Sequence, residues 1–173
     1  MTYIDRRAAR VLLIDATGRT LLLHGGDPAQ PGRLWWFTPG GGLNEGETPA
    51  QGAARELFEE TGLRVDPADL GSPVHSEVTE FSYENRRYRQ SQDFFAFRPP
   101  EWEIDSAGFD AAERRSITGH RWWSAAEIEQ SDEEIYPAEL AELLRRCSGS
   151  GSGPGAASGA GWLGAAGVPS GGL

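Results

Sequence analysis

Residues 41–63 read GGLNEGETPAQGAARELFEETGL. The stretch predicts a helix over 49–61 with both ends marked. Thr48 is placed to cap the N-terminus, Pro49 fits the first helical position, and Gln51 completes a capping box. Gly62 supplies the left-handed residue that ends the helix. An advance of about 100° per residue sorts the side chains between these ends into two faces. With Glu56 at zero, Glu60 lies about 40° to one side and Glu59 about 60° to the other, so three carboxylates share an arc of about 100°. Ala50, Ala54, Leu57 and Phe58 fall on the opposite, apolar face. The helix is expected to pack on a core with that face and to present three acids with the other.

Glutamates at i, i+3 and i+4 repel one another, modestly where all are solvated. Taken alone, they read as an ordinary exposed acidic face. The neighbouring run Pro39-Gly40-Gly41-Gly42 changes the weighing, because glycines let backbone groups approach closely. A hard divalent cation takes oxygen ligands, and Mg²⁺ takes carboxylates together with substrate phosphates. Three carboxylates from one helical turn beside such a loop would make a site of that kind.

Outward from the helix, strands and turns alternate. Arg10–Asp15 and Thr20–His24 are rich in Val, Leu and Ile around a turn glycine, Gly18, and are predicted to form a hairpin. Leu34–Phe37 is a short aromatic strand running into the glycines, which are expected to be irregular backbone. Val74–Tyr83 and Tyr88–Phe97 read as two strands around Glu84-Asn85. His120–Trp123 is a short strand, Ser124 caps a helix through Glu129, and Pro137 opens another to about Arg146. The fold class is α+β, with a mixed sheet between helices.

The chain has 173 residues, 38% of them hydrophobic, enough for one domain with one core. It divides into a domain over 1–147 and a tail over 148–173. The tail holds ten of the 23 glycines and no charged side chain, so it is expected to be flexible. Its larger apolar residues, Trp162, Leu163 and Val168, read as incidental rather than as a docking motif. No apolar run approaches the length of about 20 residues that spans a bilayer. With no secretory signal and one cysteine, Cys147, the expected compartment is the cytoplasm. The three histidines, His24, His75 and His120, are too scattered to suggest a metal cluster.

Net charge is −10, and all 16 basic residues are arginine. That excludes a phosphate-loop lysine and a lysine Schiff base. It also makes the chain a poor general nucleic-acid binder, so no nucleic-acid and no membrane partner is expected. An anionic substrate would need positive charge from elsewhere, and bound divalent cations would supply it.

At every defined position residues 41–63 match the Nudix box: Gly41, Glu47, Arg55, Glu56, Leu57, Glu59, Glu60, Gly62 and Leu63. The chain therefore resembles a Nudix hydrolase of MutT-like type over about residues 5–147. The resemblance implies an α/β/α sandwich. It implies cleavage of a nucleoside diphosphate linked to another moiety, by water attack at phosphorus, with Mg²⁺ or Mn²⁺. It assigns Glu56, Glu59 and Glu60 to the metals, joined by the carbonyl of Gly40, and gives Arg55 and Glu47 the role of orienting them. The base that takes the water's proton varies in the family, either a box glutamate or one on a later loop. Here the later candidate is Glu113, with Glu101, Glu103 and Asp110 as competitors. Many relatives are dimers, so a homodimer is compatible with the resemblance.

For the substrate, Gly41 and Gly42 would approach phosphate. Trp35 and Trp36 point to opposite faces of a strand, one into the core and one free to stack on a base. Arg33 could reach a terminal phosphate. Arg86, Arg87 and Arg89, beside Tyr83 and Tyr88, form a basic cluster that reads first as a solvated hairpin tip. Markers of three subfamilies are mostly missing: Val78 and Thr79 stand at the ADP-ribose proline, Leu22-Leu23-His24 departs from the coenzyme A signature, and Glu80 and Phe81 stand at the diadenosine polyphosphate tyrosine, with Tyr83 slightly late. The favoured substrate is a nucleoside di- or triphosphate. The alternatives are ADP-ribose, a dinucleotide or a nucleotide sugar, and a non-catalytic ligand sensor on the same fold.

Overall fold

The computed structural model describes residues 2–149. The first half carries β1 (Ile4–Leu13), β2 (Thr20–Gly26), β3 (Leu34–Phe37), β4 (Gly40–Gly42) and α1 (Pro49–Thr61). A 3₁₀ turn at Pro67–Leu70 leads to β5 (His75–Tyr83) and β6 (Arg86–Phe97). Then follow α2 (Ala111–Ser116), β7 (Ile117–Trp123), α3 (Ala125–Gln130), β8 (Ile135–Tyr136) and α4 (Leu140–Gly149). Ser148 and Gly149 thus close α4; residues 150–173, including Trp162, Leu163 and Val168, lie outside the described residues. Among the described residues no helix is long and apolar enough to cross a membrane.

The strands form two four-stranded sheets, ordered β4-β1-β6-β5 and β7-β2-β3-β8. β1 runs parallel to β6, from Ile4 opposite Tyr88 to Leu13 opposite Phe97, and antiparallel to β4. β3 and β8 are parallel; the remaining pairs are antiparallel. The fold is α+β with mixed sheets.

β1 shows why helices lie on both sides. Ala9, Val11 and Leu13 point to one face and join Ala53, Ala54 and Leu57 of α1. Leu12 and, just beyond the strand, Ile14 point to the other and join Leu140, Leu143, Leu144 and Cys147 of α4. A strand buried on both faces reads as a continuous apolar run rather than an alternating one. β2 behaves likewise, with Thr20–Leu23 all buried.

That double burial overturns the expected hairpin between these two strands. β1 gives its edges to β4 and β6, and β2 gives its edges to β3 and β7, so they enter different sheets. Among the described residues their strand pairing is limited to one bridge, Ile14 to Thr20. The glycine run is not irregular either: Gly40–Gly42 is a strand on β1. Gly40 adopts φ +140°, and a Cβ there would lie 2.2 Å from the carbonyl oxygen of Ala9. By contrast, the β5–β6 hairpin forms as expected, with Glu84 and Asn85 at φ 48° and 60°. The Asp27 carboxylate accepts the backbone N–H of Glu84.

α1 has the expected ends. Thr48 accepts from the Gln51 N–H in a capping box, and Gly62 is left-handed. Its buried arc is narrower than expected, because Phe58 is 40% exposed, with the Arg64 guanidinium 4.0 Å over its ring. Truncating Leu57, which is fully buried, is expected to cost about 2–5 kcal/mol in a urea denaturation series. Phe58→Ala, one residue along, is expected to cost about 1 kcal/mol or less.

Candidate active site

The face of β1 and β6 that α4 covers at Leu12, Phe94 and Ala96 continues past the end of that helix. There it carries Arg10, Gln92, Arg6 and Gln90 instead of apolar residues. Between this polar stretch and β3 of the second sheet lies a cleft of about 870 Å³. Glu56, Glu60 and Glu113 line one end of it, while Arg33 and Trp35 also line it from the β3 side.

The helix presents its three acids as its periodicity requires, but they are not a solvated face. Glu56 is 8% and Glu60 3% exposed. The Glu56 carboxylate rests against Gly41, where a Cβ would come within 2.6 Å of Oε1. Glu60 Oε2 accepts the backbone N–H of Gly40 at 2.8 Å. Burial, and then the charge of Glu56, push the Glu60 carboxyl well above its ordinary range. Burial also raises Glu56, against the pull of Arg55, with Glu59 and Glu113 adding to the rise.

Arg55 is the central cation of this end. Its Nε and Nη2 donate to the two oxygens of Glu47 at 2.7 and 3.0 Å. Nη1 donates to Glu56 at 2.9 Å and to Glu59 at 3.2 Å, and Nη2 also to the carbonyl of Gly42 at 2.9 Å. Glu47 accepts the N–H of Asn44 as well, and these contacts, Arg55 foremost, hold its carboxyl below the usual range. The guanidinium thereby fixes two of the three helix acids relative to the glycine strand.

Glu113 reaches the same place from 53 residues beyond Glu60 in sequence. Single ligand atoms of Glu56, Glu59 and Glu113 all lie within 4.8 Å of one another. The connection after β6 is tied to the end of α1: the Asp105 N–H and Trp102 Nε1–H both donate to the Thr61 carbonyl, at 2.9 and 3.1 Å. α2 then starts with a capping box between Asp110 and Glu113. Burial raises the Glu113 carboxyl, Asp110 and Glu59 raise it further, and the Asp110 N–H opposes them. Of the competing acids, Asp110 caps α2 and lines the cleft, and Glu101 and Glu103 are exposed.

These residues fit a divalent cation on their own chemistry. The donors are all oxygen, as a hard cation requires, and like charges converge where burial makes ionisation costly.

The remaining sequence candidates separate. Trp35 lines the cleft, with Arg33 5.8 Å over its ring. Arg33 is bound to Glu134 at 2.6 Å, so it enters the site as half of an ion pair rather than as a free cation. Trp36 is withdrawn as a substrate contact: strand alternation turns it to the other side. It stacks on His24 with centroids 4.2 Å apart, meets Trp123 edge-on, and donates to Glu133. Arg87 and Arg89 engage Tyr3 and Glu80 respectively. His75 is not isolated, since its ring nitrogen, Glu77 and Glu139 offer ligand atoms within 4.8 Å of one another. Cys147 is buried on the inner face of α4.

Sequence reasoning missed Arg10. Its Nε donates to Gln92 Oε1 and its Nη1 to the Thr38 carbonyl, both at 3.0 Å. Burial lowers its pKa, and Glu60 and Glu56 oppose that. The available signal was a lone arginine inside the apolar run Ala8–Leu13.

The NUDIX domain family matches residues 5–147. The chain belongs to the Nudix family. A MutT protein from Methanosarcina mazei Go1 has the same fold, with a TM-score of 0.65 at 19% identity over 84% of this chain and 94% of that one. A bifunctional NMN adenylyltransferase/ADP ribose pyrophosphatase from Francisella tularensis, complexed with AMP and Mn ion, gives a TM-score of 0.56 at 25% identity over 84% of this chain and 43% of that one. An RNA pyrophosphohydrolase from Bartonella bacilliformis is 39% identical over 89 residues, 47% of this chain and 51% of that protein. The chain spans about half the length of the curated relatives it matches.

The Glu60 carboxyl gives this Nudix domain a stability that depends on pH. In the unfolded chain the group ionises near its ordinary value of 4.5, and in the fold it holds its proton to higher pH. Above the unfolded value the folded state therefore binds more protons, and stability falls as pH rises through the folded value. In the presence of EDTA, the melting temperature is expected to drop as pH rises above about 5. The drop is expected to be smaller in Glu60→Gln.

Proposed function

We propose that this Nudix chain is a divalent-metal-dependent pyrophosphohydrolase acting on nucleoside di- or triphosphates. The observation that carries the reading is the convergence of Glu56, Glu59 and Glu113, with Glu60 in the field of Glu56 and Glu113, at one end of an open cleft between two sheets. Glu56, Glu59 and Glu60 would hold Mg²⁺ or Mn²⁺, with the Gly40 carbonyl beside them. The cation, when bound, lowers the pKa of water and neutralises charge on the pyrophosphate. Mn ion is named with the Francisella relative, which supports a divalent cation without choosing between the two.

The protein's own part is positional and acid–base. Arg55 and Glu47 hold the helix acids against the glycine strand, so their geometry precedes substrate binding. Glu113 accepts the proton of the attacking water; its raised pKa keeps it a stronger base than a solvated carboxylate. The water oxygen bonds to phosphorus, the bridging P–O bond breaks, and the leaving phosphate departs with that electron pair. Gly41 and Gly42 let the phosphate chain lie against backbone.

A second reading has one observation in its favour: the curated relatives are named RNA pyrophosphohydrolases. The linkage would then sit at the end of an RNA. The net charge of −10 weighs against extended contact with a phosphate backbone and favours the mononucleotide. ADP-ribose, dinucleotides and nucleotide sugars present the same linkage and belong in the same assay.

The test is a product-resolved assay of the full chain with Mg²⁺ or Mn²⁺ against nucleoside triphosphates, those competing compounds and 5′-triphosphorylated RNA. Turnover of a nucleoside triphosphate is expected, abolished in the Glu59→Gln/Glu60→Gln double variant. Glu113→Gln is expected to lower kcat by about 10²–10⁴-fold. Preference for the RNA would reverse the order of the two readings. A folded protein that binds nucleotide without turning any compound over would support the sensor.

A further inference from the structure

One polar group in the cleft has its orientation fixed by its neighbours and is left without a partner among the described residues. Arg10 has only donors, so the atom of Gln92 that receives its Nε at 3.0 Å is the amide oxygen. The Gln92 nitrogen then donates to the Glu77 carboxylate at 2.6 Å, which can only accept when ionised. Gln90 donates its own nitrogen to the same Gln92 oxygen at 2.9 Å. Its amide is thereby locked with the oxygen facing away from the chain Arg10–Gln92–Glu77. That oxygen receives no hydrogen bond from any described residue, although Gln90 is only 2% exposed. A buried acceptor in this state is costly unless something supplies a donor. Gln90 lines the cleft while its oxygen is covered, so a ligand that displaces this cover on binding can supply the donor.

The distance from the carboxylates says which part of a ligand. Gly40 pairs with Arg10, and Arg10 with Phe94, four residues from Gln90 on β6. Two strands across and four residues along come to about 16 Å between the Cα positions of Gly40 and Gln90. A pyrophosphate held near Gly40 does not extend that far, whereas a nucleoside attached to it does. Trp35, Phe37, Phe81 and Tyr83 line the same cleft and offer flat apolar surface for a base.

We propose that Gln90 is a specificity-determining residue that accepts a hydrogen bond from an N–H donor on the nucleobase, with Arg10, Gln92 and Glu77 fixing the amide. The inference rests on the nucleotide reading of the cleft and adds to it a polar contact that requires an N–H group on the base. All the common bases carry an exocyclic amino or ring N–H group, so the contact rejects bases with none rather than choosing among the common ones. A site that leaves a buried group unpaired discriminates far more strongly than one that only misses apolar contact.

The experiment compares adenosine triphosphate with purine riboside 5′-triphosphate, which keeps the ribose and phosphates but has no N–H on its base. With the full chain and Mg²⁺, kcat/KM is expected to be at least about tenfold higher for adenosine triphosphate. In Gln90→Leu the two values are expected to converge to within about twofold, through loss on adenosine triphosphate rather than gain on the analogue. Equal kcat/KM for the two compounds in the wild-type protein would overturn the proposal, and would assign the free acceptor to a ribose hydroxyl or to solvent. The wild-type comparison needs no variant, so a Leu form that fails to fold does not affect it. If neither compound is turned over, the activity reading fails separately. Calorimetric titration of the same pair with Ca²⁺ then decides the base contact: tighter adenosine triphosphate supports it, and equal affinity overturns it.

Discussion

Glu56, Glu59 and Glu113 are brought together where α1, β4 and α2 meet, Glu60 lies in the field of Glu56 and Glu113, and Glu56 and Glu60 are nearly out of contact with water. Two ionised carboxylates about 5 Å apart repel by about 3 kcal/mol at an effective dielectric of about 20. The fold offsets this in three ways. Arg55 shares its guanidinium among Glu47, Glu56 and Glu59. The Gly40 N–H stabilises Glu60. The buried carboxyls also retain protons to higher pH than a solvated acid. These devices relieve the repulsion without removing it, and a divalent cation would remove it. The same strain that lowers the stability of the metal-free domain would thus favour a bound cation.

The cleft depends on β1. The strand is apolar on both faces over Val11–Leu13 and polar on one face at Arg10 and Arg6. Where it is apolar, α1 and α4 clamp it and the sheets close into a core. Where it turns polar, α4 no longer covers it and the space between the sheets stays open. β4 lies on its edge at that transition, so the glycine backbone, the acids of α1 and the open cleft meet at one point. One strand's change of composition therefore sets both the core and the position of the site.

The helix and its carboxylates were legible in sequence because capping and a 3.6-residue period are local signals. The Glu84–Asn85 hairpin was legible for the same reason. What failed was non-local. Val-, Leu- and Ile-rich neighbours around Gly18 resemble a hairpin, and only the competition for strand edges shows that they pair elsewhere. Three consecutive glycines look irregular until β1 is known to lie alongside them. Glu113 could be suspected but not placed, since its approach depends on Trp102 and Asp105 docking on the end of α1. The Asp110–Glu113 capping box was in the sequence and would have signalled α2. Arg10 is marked only as a lone arginine in an apolar run and Gln90 carries no pattern at all; their meaning comes from the partners set opposite them across β1 and β6.

The claim that the converging carboxylates form a cation site is tested most directly by locating the ion. Crystals of the full chain grown with Mn²⁺ would be measured for anomalous scattering. The expected result is one or more peaks ligated by Glu56, Glu59 and Glu60, next to Gly40 and Glu113. Manganese bound only at His75, Glu77 and Glu139, or no peak within reach of the α1 glutamates at saturating Mn²⁺, would contradict it.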